Sequence, residues 1–224
     1  MSLLLEQFNT EIASVVDEVR RSLVQISVGM GNGAGTIWHS DGLIITNAHV
    51  VDEQGHSHRF SYRYGYRPTE RELIVTLADG TAYPAKVVAQ DTEHDIAALA
   101  VDAQNLPTIR LGDSRKLRAG QLVLAVGHPW GVMGAVTAGI VVGSGSELPE
   151  MPGNSRDWIV MDLKVRPGNS GGPLVDAQGS LIGINTLMTG PQAGAAVPID
   201  TIKRFLKETL GSQVTESLEA QPAY

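Results

Sequence analysis

The sequence predicts an all-β protein made of two six-stranded antiparallel β-barrels, with a helix at the N-terminus and another at the C-terminus. Short apolar runs of strand length follow one another through most of the 224 residues. Turn pairs such as Asp41-Gly42 and Asp79-Gly80 separate some of them, as in β-hairpins. A polar segment, residues 105–117, divides the runs into two groups of about six. This arrangement favours two barrels over alternating βαβ units.

The amino-acid composition agrees with this fold class and excludes several classes of function. The chain is 42% hydrophobic, with 25 glycines and only 5% aromatic residues, which suits a turn-rich β-protein with a sizeable core. Its formal net charge of -7 argues against nucleic acid as the main partner. The absence of cysteine excludes disulfides, thiolate metal sites and a cysteine nucleophile. No motif predicts a cofactor or a bound metal.

The chain ends are predicted to be helical. Residues 1–21 form an amphipathic helix, because apolar residues recur at spacings of three and four. These residues are Leu4, Phe8, Ile12, Val15, Val16 and Val19. A second helix, residues 199–211, is expected to be capped by Asp200 and ended by Gly211. Residues 212–224 show no periodicity and are expected to form a flexible tail.

The first barrel is predicted over residues 22–104 and the second over residues 118–198, with 105–117 as the linker. The strands expected in the first barrel are 24–28, 33–39, 43–46, 73–77, 81–90 and 95–101. Those expected in the second are 122–126, 135–142, 158–163, 173–176, 181–186 and 195–198.

The sequence leaves the compartment open. No apolar run approaches the roughly 20 residues of a membrane span. Glu6 follows the first leucines too early for a signal peptide, and no basic region precedes them. We therefore expect a cytoplasmic protein for the sequence as written, or an extracytoplasmic one, for example periplasmic, if the N-terminus was trimmed.

The stretch Gly168-Asn169-Ser170-Gly171-Gly172 carries the first chemical signal. Glycines allow positive φ and the close approach of other groups to the main chain. A serine held in such a loop can present its hydroxyl and nearby amides to one point, as a nucleophile with an oxyanion hole requires. On these residues alone, a Gly-rich surface turn is the alternative. Catalysis also needs a base and an orienting carboxylate.

His49 is the predicted base among six histidines. It follows the apolar strand 43–46 and is flanked by small residues, so its side chain can be held facing a cleft. A structural or surface histidine is the alternative. Asp95 opens the last apolar strand of the first barrel and is the predicted orienting acid. Asp91 is the second candidate, with turn formation as its alternative role.

The order of these residues along the chain selects one serine-hydrolase architecture. The serine loop matches G-x-S-x-G, but the α/β-hydrolase elbow needs its histidine after the serine, and the last histidine, His128, precedes Ser170. A subtilisin order could use Asp41 and His49, but it would need an α/β sandwich. The order His49, Asp95, Ser170 is that of the chymotrypsin-type triad and agrees with the two-barrel fold.

Seven motifs, in the right order along residues 20–206, resemble the HtrA/Deg branch of the trypsin-like, chymotrypsin-fold serine proteases. They are GAGTI at 33–37, TNAHVV at 46–51, DIAAL at 95–99, LGDS at 111–114, GHPWG at 127–131, GNSGGPL at 168–174 and IGINT at 182–186. The lack of cysteine also fits this branch.

The resemblance implies a role for each candidate residue. Ser170 would be the nucleophile, His49 the general base and then the general acid, and Asp95 the orienting carboxylate. The backbone amides of Gly168 and Ser170, with Asn169 between them, would form the oxyanion hole.

The resemblance also implies a substrate site. Thr186, Leu187 and Met188 would pair with the substrate backbone. Val165 and Met188 would line the primary specificity pocket, whose aliphatic character favours cleavage after small or aliphatic residues. Lys164 lies near the base of this pocket in the general layout, and we expect it to point outward because an unpaired buried ammonium is costly.

Relatives usually have small or neutral residues where Lys164, Val165 and Arg166 precede the serine loop. Two further features depart from the family pattern, and the sequence also contains an unusual insert. The segment 189–195 is shorter than in relatives, where it helps to order the oxyanion hole. Most relatives carry a PDZ domain after the protease, whereas only a short tail follows here. Residues 52–72 form an insert rich in His, Tyr and Arg, mainly at 56–67, for which a subunit or substrate contact is the preferred hypothesis. Its two histidines are expected to be solvated rather than metal-bound.

The sequence therefore predicts an ATP-independent serine endopeptidase that hydrolyses peptide bonds through an acyl-enzyme. By resemblance, its substrates are unfolded or damaged polypeptides, as in protein quality control, and its assembly is a homotrimer. The N-terminal helix packs either between subunits or onto its own barrel. The alternative function is a chaperone-like peptide-binding protein whose triad is resting or poorly organised.

Overall fold

The structure, a computed structural model, describes residues 2–29, 31–52, 72–146, 148, 156–188 and 193–211. These residues form three α-helices: α1 (Ser2–Arg21), α2 (Ala48–Val51) and α3 (Ile199–Leu210). The strands of the first half are β1 (Leu23–Val28), β2 (Gly31–His39), β3 (Leu43–Thr46), β4 (Leu73–Thr76), β5 (Ala82–Asp91) and β6 (Ile96–Val101). Those of the second are β7 (Leu122–Gly127), β8 (Ala135–Gly145), β9 (Trp158–Asp162), β10 (Pro173–Asp176), β11 (Leu181–Met188) and β12 (Ala193–Pro198).

The strands close two antiparallel barrels that share one topology. The first runs β1-β2-β3-β6-β5-β4, and the second repeats that order as β7-β8-β9-β12-β11-β10. The predicted fold class is confirmed, and each predicted strand is present with ends shifted by a few residues. Gly42 and Gly80, in the two predicted turn pairs, have φ of 92° and 87°, a conformation open mainly to glycine.

Alternating side chains build three apolar clusters. One fills the interior of the first barrel around Ile26, Ile44 and Leu99, and a second fills the other barrel around Met161 and Leu174. The third lies on the outer faces, where strands of both barrels meet the helices, and it includes Ile45, Leu124, Val19 and Phe205. Burial contributes roughly 1.5–3 kcal/mol for each of these side chains to the stability of the fold.

Helix α3 begins differently from the prediction. The helix begins at Ile199, so Asp200 lies in its first turn rather than at the cap. The Asp200 carboxylate accepts hydrogen bonds from the Ser114 amide (3.1 Å) and hydroxyl (2.6 Å) instead. The prediction that Asp200 caps this helix was therefore wrong, since the linker serine provides a closer donor. Gly211 follows the helix with a φ of 82°, as predicted.

Helix α1 divides its apolar residues between two environments. Val16 and Val19 are buried in the third cluster, while Leu3, Leu4, Leu5 and Phe8 are exposed.

No helix in the described parts of the chain is both long and apolar enough to cross a membrane. The predictions for the 56–67 insert, most of the 189–195 segment and the 212–224 tail fall outside the described residues.

Candidate active site

His49 is carried by the short helix α2, which sequence reasoning did not predict. The chain leaves β3, passes Asn47 in an extended conformation (φ -83°, ψ 150°) and turns into Ala48–Val51. Asn47 is fully buried, and its side-chain amide donates to the Asp95 carbonyl oxygen at 2.9 Å. This bond joins the end of β3 to the turn before β6, so His49 and Asp95 are held on one rim of the first barrel.

Asp95 holds the His49 ring from one side. Its Oδ2 lies 2.8 Å and its Oδ1 3.0 Å from His49 Nδ1. Oδ1 also accepts the His49 backbone N–H at 3.0 Å, and Oδ2 accepts the Thr186 hydroxyl. Asp95 has a φ of 57°, unusual for a residue with a side chain. The carboxylate is therefore oriented by three donors on a backbone that local structure keeps in a sparsely populated region.

The electrostatics of Asp95 favour its ionised form. Burial by itself would raise the pKa of Asp95. The His49 ring, the Thr186 hydroxyl and the His49 amide oppose burial, and together they lower the pKa of Asp95 below its ordinary value. A carboxylate that stays charged can hold the proton on Nδ1 of His49, which leaves Nε2 as the basic nitrogen and stabilises an imidazolium.

Ser170 approaches this pair from the second barrel. Its backbone oxygen accepts the Ala34 N–H at 2.9 Å, which ties the serine loop to β2 across the barrel boundary. Its hydroxyl donates to the Thr186 carbonyl oxygen at 2.8 Å. A register shift between Asn185 and Leu187 leaves Thr186 out of the β11–β12 pairing. Thr186 therefore contacts Asp95 through its hydroxyl and Ser170 through its carbonyl.

The loop before Ser170 has two backbone amides that lack acceptors. Within the described residues, neither the Gly168 nor the Ser170 N–H is hydrogen-bonded, whereas the Asn169 N–H donates to the Arg166 carbonyl at 2.9 Å. Gly168 has a φ of 97°, and a Cβ there would lie 2.3 Å from the His128 carbonyl oxygen. Only glycine fits position 168, and the amides of Gly168 and Ser170 are available to an anionic oxygen.

The residues predicted to bind substrate lie beside this loop. Val165 is buried, and a Cβ added at Gly194 on β12 would lie 2.5 Å from its Cγ2. Leu187 and Met188 extend β11 and pair with β12 through their backbones. Lys164 is exposed, as expected for a side chain that points outward. The wall beside Val165 is thus formed by an aliphatic side chain and main chain.

The second candidate acid does not reach the candidate base. Asp91 accepts the His94 backbone N–H at 3.0 Å and lies 2.7 Å from its Nδ1. These bonds close the turn that delivers Asp95, which is the structural role weighed for Asp91 from the sequence. Across the described ranges, no group of three or more His, Cys, Asp or Glu side chains could hold a metal ion.

Sequence reasoning missed two contributions to the site. Asn47 was noticed only as a neighbour of His49, although a buried asparagine after an apolar strand indicates a side chain with a backbone partner. Thr186 was assigned to substrate alone, and its contact with Asp95 depends on a strand irregularity that no local pattern reveals.

Comparisons with known proteins point to one family. The trypsin-like peptidase domain family matches residues 33–184. A serine protease HTRA1B of Danio rerio is 36% identical over 227 residues, covering 95% of this chain and 44% of the relative. A probable periplasmic serine endoprotease, DegP-like, of Pseudomonas putida is 40% identical over 173 residues, covering 75% of this chain and 32% of the relative.

A solved structure gives the same result for the fold. The HtrA-type protease AlgW with tripeptide superposes with a TM-score of 0.74 at 32% identity, covering 88% of this chain and 62% of that one. The chain thus spans less than half the length of the two curated relatives named above.

Proposed function

Because the chain belongs to the trypsin-like peptidase family, in its HtrA/Deg branch, we propose that it is a serine endopeptidase with Ser170 as nucleophile. His49 is the general base and then the general acid, and Asp95 is the orienting carboxylate. The observation that carries the proposal is a pair of hydrogen bonds at Thr186. Its hydroxyl donates to Asp95, and its carbonyl oxygen accepts the Ser170 hydroxyl. A serine, a histidine and a carboxylate from both barrels are thereby gathered around one strand.

The proposed reaction proceeds through an acyl-enzyme. Ser170 Oγ attacks the scissile carbonyl carbon while its proton passes to Nε2 of His49, and Asp95 stabilises the imidazolium. The oxyanion is bound by the amides of Gly168 and Ser170, with Asn169 between them; each such donor is worth roughly 2.7–4 kcal/mol. His49 then protonates the leaving amine. In deacylation, His49 takes a proton from the water that attacks the acyl carbon, and it returns a proton to Ser170 Oγ as the acyl group leaves.

Substrate arrival frees the nucleophile in this proposal. The Ser170 hydroxyl has one proton, which it donates to the Thr186 carbonyl at 2.8 Å. A substrate strand pairing along Thr186, Leu187 and Met188 places a backbone N–H on that same carbonyl. The hydroxyl can then turn towards His49, so attack follows binding.

We propose that the substrates are unfolded or damaged polypeptides, cleaved without ATP after small or aliphatic residues. The support for the specificity is the buried Val165 wall and the outward position of Lys164. A homotrimer, as part of protein quality control, is the assembly expected from the family.

The function is tested by casein hydrolysis and by cleavage of quenched fluorogenic peptides that carry Ala, Val or Arg before the scissile bond. Wild-type protein is expected to cleave casein and the Ala and Val peptides. Ser170→Ala and Asp95→Asn are expected to abolish or strongly reduce cleavage, whereas the exposed control variants Ser144→Ala and Asp102→Asn keep it. Equal activity of Ser170→Ala and wild type would remove the proposal.

The contact between Ser170 and Thr186 also favours a second candidate function. A hydroxyl that donates to a carbonyl is a poor nucleophile. A protein that keeps this contact when peptide is bound would act as a chaperone-like peptide-binding protein. Peptide binding, measured by fluorescence anisotropy, without any turnover would support this alternative.

A further inference from the structure

An exposed tryptophan is stacked by an arginine beside the candidate nucleophile. Trp130 is 72% exposed and has a φ of 51°, a conformation that costs energy for a residue with a side chain. The Arg166 guanidinium lies over its ring, 5.5 Å from the centroid. Such a contact is a cation–π interaction, which orients both planar groups at the surface.

The charge on Arg166 has no counterion in the described structure. Among the described residues, neither Arg166 nor the nearby Lys164 forms a salt bridge with a carboxylate. Val165, between them, is buried, whereas Lys164 is exposed and Arg166 is half-buried. The stacked guanidinium thus keeps its N–H donors for an external acceptor, in a protein whose formal net charge is -7.

Backbone hydrogen bonds fix this pair next to the serine loop. The Trp130 N–H donates to the Pro167 carbonyl at 3.2 Å, and the His128 N–H donates to the Gly168 carbonyl at 2.8 Å. Arg166 itself accepts the Asn169 N–H. Backbone hydrogen bonds therefore connect the stacked pair to the loop that carries the two candidate oxyanion amides.

The barrel order tells on which side of the scissile bond the pair lies. β10, which begins just after the serine loop, lies between β11 and β7. Substrate residues before the scissile bond would run along Thr186–Met188 on β11. Beyond the scissile bond, the substrate would continue past Ser170 towards the end of β7, and Trp130 follows β7 in the protein sequence. The pair would thus face substrate residues on the leaving-group side.

Resting on the proposed function, we propose that Trp130 and Arg166 form a substrate subsite for an acidic residue on the leaving-group side of the scissile bond. The Arg166 guanidinium donates hydrogen bonds to the substrate carboxylate, and the indole face holds the guanidinium in place. The subsite adds a charge requirement to a primary pocket that is itself aliphatic.

The test compares kcat/KM for paired peptides that differ only by Glu or Ala at each position after the scissile bond. Wild-type protein is expected to prefer the best-placed Glu by about two- to fivefold, since the contact is charge-assisted but accessible to solvent. The preference should fall towards one at high salt, because screening weakens exposed charge pairs. Arg166→Ala and Trp130→Leu should bring the ratio close to one, while Trp130→Phe should retain most of it.

Two controls separate the stacked pair from general positive charge. Lys164→Ala removes a neighbouring exposed cation, and Arg204→Ala removes a distant one on α3; both should keep the Glu preference. A loss with Lys164→Ala as large as with Arg166→Ala would overturn the inference, as would a wild-type ratio of one. If wild-type protein cleaves no peptide, the proposed function itself fails.

A second copy of this chain is the competing occupant, since Val132 and Met133 beside Trp130 are also exposed. Sedimentation analysis of Trp130→Leu decides between them. A changed mass with an unchanged Glu preference would make this patch an interface between copies and remove the subsite. An unchanged mass with a lost preference supports the subsite.

Discussion

Thr186 shows how much of the proposed chemistry depends on one residue that is not itself a member of the triad. Its hydroxyl reaches Asp95 and its carbonyl reaches Ser170, so one backbone position sets the spacing between the acid and the nucleophile. The bulge in β11 makes both contacts available at once, because Thr186 is not paired with β12.

Thr186→Val separates the two contacts. The substitution removes the hydroxyl and keeps both the carbonyl and the approximate shape. Because a hydrogen bond to a charged group is worth about 1.5–3 kcal/mol, kcat is expected to fall at least about tenfold, with KM nearly unchanged. Thr76→Val on β4 is the matched control and should leave peptide cleavage intact. A Thr186→Val enzyme with wild-type kcat would show that Asp95 does not need this donor.

Asp95 also links stability to pH. Because its pKa is lowered in the folded state, its ionised form stabilises the fold fully above the ordinary Asp pKa of about 3.9. That stabilisation is lost as pH falls through the lowered folded-state value. In urea unfolding, the difference in free energy between wild type and Asp95→Asn should be constant above about pH 5 and shrink below about pH 4. A difference that stays constant to pH 3 would contradict this account.

The 128–134 segment packs against the loop around Gly168 and restricts its conformation. The His128 carbonyl blocks any side chain at Gly168, and the His128 amide holds the Gly168 carbonyl at 2.8 Å. Arg20 at the end of α1 donates to the Gly134 carbonyl at 2.8 Å. The N-terminal helix is therefore connected to the candidate oxyanion loop through one short segment.

Gly168→Ala tests that packing against a control with the same backbone strain. Gly80 also has positive φ, but a Cβ there meets nothing within 4 Å. Both substitutions carry the cost of about 1–2 kcal/mol for positive φ, so both should lower thermal stability. Only Gly168→Ala should also lower kcat, by about 10²–10³-fold, because the oxyanion amides shift. Equal kcat in the two variants would show that this loop does not bind the oxyanion.

His128 is expected to make the stability of the fold depend on pH closer to neutrality than Asp95 does. Its Nδ1 accepts the Gly134 N–H at 3.2 Å, which requires the unprotonated ring nitrogen. Burial lowers the pKa of His128, against a smaller raising effect of the Val24 backbone. Stability is thus complete above the ordinary His pKa of about 6.5 and is lost as pH falls from there towards the lowered value.

His128→Asn is the variant that isolates this effect, since its side-chain oxygen can accept the same N–H without titrating. Between pH 7.5 and pH 5.5, the urea midpoint of wild type is expected to fall more than that of His128→Asn. Parallel pH profiles for the two proteins would assign the acid sensitivity to other groups.

Short apolar runs of strand length, separated by turn pairs, were enough to predict both barrels, because most of these strands are buried in the clusters whichever strand they pair with. The order His49, Asp95, Ser170 was likewise visible in the sequence. The α2 helix, the Asn47 bond to Asp95 and the Ser114 bond to Asp200 were not visible, since each depends on a residue distant in sequence. Local patterns thus predict elements, whereas tertiary contacts determine how their ends meet.

The homotrimer expected from the family gives α1 a testable role. Leu3, Leu4, Leu5 and Phe8 are exposed on this helix, although apolar side chains gain about 1.5–3 kcal/mol each on burial. Replacing Leu4 and Phe8 together by serine is expected to lower the mass measured by sedimentation if the helix packs between subunits. An unchanged trimer mass would place the contact elsewhere, and a monomeric wild type would remove the trimer.

A fluorophosphonate probe, followed by peptide mapping in a mass spectrometer, shows whether Ser170 is an activated nucleophile. We expect one covalent adduct, on Ser170, in the wild-type protein. Labelling should be absent in Ser170→Ala, strongly slowed in Asp95→Asn and unchanged in Ser144→Ala. An adduct that persists in Ser170→Ala, or a folded wild-type protein that casein and peptides cannot induce to react, would contradict this role of Ser170.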